Sequence, residues 1–152
     1  MKTRIVALIL SIFLIGCIST KNVFSSIEIS EEEDYGYSVN NPILIGEYYS
    51  WQKNAELTQL YLSKLTYDKK PLQCILHATI KEPDNQPRKK ESIPLRFGTA
   101  SSLGGNFLNL YVVVPRGTTD TLNLYFDEEI KGTLKCPRGF EFNINQINNI
   151  YR

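Results

Sequence analysis

The sequence predicts an α+β fold, one amphipathic helix packed on a small antiparallel sheet of four to five strands, and three observations predict it. One stretch has the period of a helix: Leu57, Leu60, Tyr61 and Leu65 fall at i, i+3, i+4 and i+8. Everything after it is made of short β-forming runs. Turn signals such as Asn40-Asn41-Pro42, Pro115-Arg116-Gly117 and Pro137-Arg138-Gly139 punctuate the chain.

Taken in order, Ile43 to Gly46 reads as a short strand. Ser50 is a natural N-cap for the helix, whose polar side carries Lys53, Glu56 and Lys64, and Tyr67 to Pro71 is expected to end it after about four turns. Leu72 to Ile80 is a strand, and Ile93 to Phe97 a weaker one. Leu108 to Val114 and the strictly alternating Leu122, Leu124 and Phe126 form an antiparallel hairpin across Pro115 to Thr121. Lys131 to Cys136 is a last strand, after which Pro137 to Phe140 turns the chain away. Lys81 to Lys90 is an exposed charged loop, and Asn148 to Arg152 a frayed end.

At 152 residues the chain holds one domain and is too short for a barrel enzyme of about 250 residues. A net charge of +1 supplies no field for nucleic acid.

The N-terminus carries the most specific signal. Lys2 and Arg4 precede an apolar run from Ile5 to Ile15, which at 11 residues is far short of the span a bilayer needs (about 20). Gly16-Cys17 closes the run, and Leu14-Ile15-Gly16-Cys17 resembles the lipobox of bacterial lipoproteins, which implies signal removal and acylation of Cys17. The expected organisation is a signal peptide over 1–16, the lipidated Cys17 with a flexible tether over 17–34, a domain over 35–147 and a tail over 148–152. Ile18, rather than Asp, follows the cysteine, which places the chain at the outer membrane facing the periplasm. The acidic run Glu31 to Asp34 reads as solvated linker, since it lacks the spaced oxygens and Gly of a calcium loop.

Signs of catalysis are few. His77 is the only histidine, and the chain has no Gly-x-Ser-x-Gly elbow, phosphate loop or Cys-x-x-Cys. Ser101 to Gly105 reads as a flexible Gly-rich loop. Cys74 and Cys136 are either a disulfide or two separate thiols, because sequence does not fix pairing. Tyr35, Tyr37, Tyr48, Tyr49 and Trp51 cluster ahead of the helix. Most such rings cover a core, and Tyr35, Tyr37 and Trp51 are the candidates for partner contact.

The stretch Tyr35-Gly36-Tyr37-Ser38-Val39-Asn40-Asn41-Pro42-Ile43-Leu44-Ile45-Gly46 resembles the opening of a family of short Bacteroidetes lipoproteins. Gly132-Thr133-Leu134-Lys135-Cys136-Pro137-Arg138-Gly139-Phe140 is similar to their ending, and Leu122 to Asp127 to the strand before it. The middle departs from that pattern, with a single Cys74 and the added loop Glu82 to Glu91. The aldolase activity sometimes ascribed to such proteins needs a barrel this chain cannot build. The resemblance otherwise implies only an envelope lipoprotein. The expected function is therefore non-enzymatic: a membrane-anchored protein with no cofactor, no metal and no nucleic acid, binding an envelope protein or glycan. Two alternatives stand beside it, a small envelope enzyme using His77 with Glu47, and an inhibitor or immunity-type protein that blocks a hydrolase with the loop Thr99 to Asn106.

Overall fold

Beyond the helix, runs such as Tyr111 to Val114 are rich in β-branched and aromatic residues, which suit extended backbone. The computed structural model describes residues 23–25, 27–47, 50–81, 93–94, 107–147 and 149–151. In chain order the elements are β1 (Ile43–Leu44), α1 (Trp51–Ser63), β2 (Leu65–Tyr67), β3 (Lys70–Lys81), β4 (Ile93–Pro94), β5 (Phe107–Pro115), β6 (Leu122–Asp127), β7 (Ile130–Lys131) and β8 (Phe140–Phe142). Six of them make one sheet in the order β1-β6-β5-β3-β2-β8, and β4 and β7 form a separate two-stranded ribbon.

The α+β class holds, but the sheet is mixed and six-stranded rather than antiparallel with four or five strands. The parallel pair is β1 on β6, with Ile43 opposite Phe126 and Leu44 opposite Asp127. The other pairs in the sheet are antiparallel. The expected hairpin is present as β5 on β6, registering Tyr111 with Leu124. β3 is long enough to join the two halves, pairing its first residues with β2 and the rest with β5. A bulge between Cys74 and Leu76 bends it on the way, as an unpaired extra residue does.

Two boundaries differ from expectation for local reasons. Ser50 does cap the helix, accepting the Lys53 N–H, but α1 ends at Ser63. Leu65-Thr66-Tyr67 then extends as a strand, because Asp68 and Lys69 both take positive φ (50° and 60°) and make a tight hairpin turn into β3. The predicted strand over 131–136 is shorter, since residues 132–135 leave the ladder and Cys136 makes an isolated parallel bridge to Ile29. Beyond it the chain does not turn away: Phe140 to Phe142 returns as β8 along β2.

Both ends of the described chain belong to the core. Phe24 is 3% exposed, its ring 5.5 Å from Phe142 and 6.2 Å from Tyr61. The Ser30 N–H donates to the Cys136 carbonyl and the Cys136 N–H to that of Glu28, each at 2.8 Å. From residue 23 onward the segment expected as a tether is thus a packed strap. The acidic run is engaged too: Arg138 pairs with Glu33 at 2.8 Å, and the Asn41 side-chain amide donates to Glu32 and Asp34. At the other end, Ile150 is 4% exposed and its carbonyl accepts the Cys74 N–H at 2.7 Å, so this part of the expected frayed end is docked. At the centre, Phe126 lies edge-on to Tyr61 (5.9 Å) and Tyr111 (5.4 Å), pairings worth about 0.5–1.5 kcal/mol each beyond burial.

Candidate functional site

The opening and ending motifs meet as one unit, through hydroxyl bonds between residues 100 and 101 positions apart. The Lys135 N–H donates to the Tyr35 hydroxyl (3.1 Å), and the Tyr37 hydroxyl donates to the Arg138 carbonyl (2.6 Å) while its ring stacks on Phe140. Ile45 bridges Lys131, and the Gly46 N–H donates to the Ile130 carbonyl. Glycine is needed where these backbones cross. A Cβ on Gly46 would stand 2.8 Å from backbone atoms of Ile130, and one on Gly132 would stand 2.6 Å from the Leu44 side chain.

This crossing leaves a pocket of about 330 Å³, lined by Val23, Ser25, Leu44 to Glu47 and Gly132 to Leu134. It lies past the C-terminal end of β6, where β1 runs out beside Asp127. Its charged rim is the ion pair between Lys131 and Glu47 at 2.7 Å. Behind it sits a buried polar network. Asn54 accepts the Glu47 N–H and donates to the Glu128 carbonyl at 2.8 Å, and the Thr58 hydroxyl donates to the Glu128 carboxylate at 2.8 Å. Burial holds the Glu128 carboxyl above the usual range, partly offset by the Thr58 hydrogen bond. Asn54, Thr58 and Glu128 were not among the residues expected at a site. The available signal was that Asn54 and Thr58 fall on the apolar stripe of α1 beside Leu57 and Tyr61, where a polar side chain needs a partner.

The expected candidates are dispersed. Tyr35 is 5% exposed, and burial pushes its phenol up to about 12, so its ring is packed inside rather than offered to a partner. Tyr37 is half-buried with its hydroxyl committed, and its phenol is likewise pushed up to about 12 by burial. Trp51 is 63% exposed at the start of α1 and is the one of the three that projects into solvent. His77 is exposed on β3, stacked on Tyr111 with centroids 4.2 Å apart, and its Nε2 meets the Asn109 amide oxygen at 3.3 Å rather than a carboxylate. Glu47, its suggested partner, is engaged with Lys131.

Cys74 and Cys136 are both free thiols, not a disulfide. Cys136 is buried, its Sγ directed at the Phe140 carbonyl, and burial pushes the thiol up to about 12. Neither is poised for nucleophilic chemistry, which needs a lowered thiol pKa. Among the described residues no group of His, Cys, Asp and Glu could hold a metal ion, and no helix is long and apolar enough to cross a membrane. Cys17, Tyr48, Tyr49, the loop Glu82 to Glu91 and the loop Thr99 to Asn106 lie outside the described residues. Comparison with protein-family models, curated proteins and solved structures found no match.

Proposed function

We propose that this chain is a lipid-anchored, non-enzymatic binding protein of the bacterial outer membrane, acylated at Cys17 and facing the periplasm. The observation that carries the reading is Gly16-Cys17 at the end of an 11-residue apolar run behind Lys2 and Arg4. Two or more acyl chains anchor a domain firmly, whereas one chain binds marginally. Loss of Lys2 and Arg4 with the signal leaves 15 basic against 16 acidic residues, so the lipid, not charge, supplies the attachment. A non-enzymatic role is supported by the amide environment of His77 and by two thiols that burial holds above their ordinary pKa.

The partner is an envelope protein or glycan, and the exposed Trp51 is the residue on offer to it. Cys17→Ala is expected to move the protein from the membrane to the soluble fraction and to abolish incorporation of a fatty-acid analogue. Incorporation that persists in the variant defeats the assignment of Cys17.

A further inference from the structure

The strap and the anchor together limit how the domain can sit. Cys17 stands six residues before Val23, and six residues reach at most about 20 Å when fully extended. A domain of this size is roughly 35 Å across. Val23 and Ser25 line the pocket past the end of β6, and Phe24 between them is locked between Phe142 and Tyr61. The turn from Pro115 to Thr121 lies at the opposite end of the same strand, six residues away, or about 20 Å.

We propose that the pocket face is a membrane-contact surface: Val23, Leu44, Glu47 and Thr133 lie against the phospholipid headgroup layer of the bilayer that carries the anchor. This rests on acylation of Cys17, and it adds an orientation that acylation alone does not require. The short connection keeps the pocket face near the lipid while the Pro115 to Thr121 turn points away. Length favours this orientation, and the near-neutral charge balance contributes little, so the preference survives high salt.

The test uses the full lipidated chain in phosphatidylethanolamine–phosphatidylcholine vesicles doped with a headgroup spin label. A fluorophore is placed through Thr133→Cys or Thr119→Cys, both exposed positions, in a Cys74→Ser background. Thr133→Cys is expected to be quenched several-fold more strongly than Thr119→Cys, at low and high salt alike. Inserting about twenty Gly and Ser residues between Lys21 and Asn22 takes the tether's extended reach, roughly 90 Å, well past the domain diameter and is expected to equalise the two. Equal quenching at native length overturns the orientation while fatty-acid labelling of Cys17 stands, and a preference that survives the insertion supports contact by the face itself and overturns tether length as its cause. Absence of that labelling in the unsubstituted chain overturns the anchor and the orientation together.

Discussion

Two tyrosines show how far a hydroxyl's context decides its worth. The Tyr61 hydroxyl donates to the Lys135 carbonyl, tying α1 to the second motif, so Tyr61→Phe should cost about 1 kcal/mol in urea unfolding. The Tyr111 hydroxyl is buried with no hydrogen-bond partner among the described residues, and Tyr111→Phe should be neutral or stabilising in the same assay. Glu128 gives a pH signature. Its carboxyl is raised by burial, so the folded state holds the proton at pH values where the unfolded chain has released it. Stability from this group is therefore greatest at low pH and falls as pH rises through the unfolded and then the folded value. Glu128→Gln keeps an oxygen to accept from Thr58 and removes the buried charge. It should raise stability at pH 7 by up to about 1 kcal/mol and flatten the pH dependence in that window. A stability loss at pH 7 would show that the charge itself is needed. None of these three roles could be read from sequence: a Tyr on a helix or a strand, or a Glu between strands, carries no mark of whether its polar end will find a partner.

At the scale of elements, what was legible was what is local. Ser50 as N-cap, the Leu57 and Tyr61 face of α1 and the β5–β6 hairpin all depend on residues a few positions apart, and all are present. The parallel β1–β6 pair, the strap and the docked Ile150 depend on partners that lie far along the chain. Phe24 has only Val23 beside it and Ile150 only Tyr151, in otherwise polar surroundings, so neither sits in a period that announces it. They give the sharpest element-scale prediction. Phe24→Ala should destabilise the domain by about 3–5 kcal/mol, as loss of a fully packed ring does, and truncation after Gln146 should also cost stability by uncovering the core at Ile150. A Phe24→Ala variant as stable as the parent would mean that the strap is only a tether. Two glycines differ: Gly46→Ala, at the crossing, meets backbone and should cost about 2–4 kcal/mol, whereas Gly117→Ala, in the β5–β6 turn with open space around it and only its positive φ to strain, should cost about 1 kcal/mol.

For the whole molecule, the free thiols make redox state irrelevant to stability. A bond between Cys74 and Cys136 would contribute roughly 4 kcal/mol on a chain-entropy basis. The structure predicts instead that reductant leaves Tm unchanged, with Cys74 titrating in the folded protein and Cys136 only after unfolding. A reductant-dependent Tm would contradict this. The candidate site was legible only in pieces: each motif could be seen, but not that one serves as the other's binding partner, because spacing along a chain says nothing about which distant backbones cross.

That crossing also sets the order of events during biogenesis. The Tyr35 hydroxyl waits for Lys135, and Tyr37 for Arg138, each about a hundred residues later in the chain. Closing so large a loop costs entropy before any contact rewards it, and folds with distant pairings form slowly. A chain emerging N-terminus first cannot complete its strap, its pocket or the packing of Phe24 until the second motif has followed. The fold therefore closes only after almost the whole chain has been delivered.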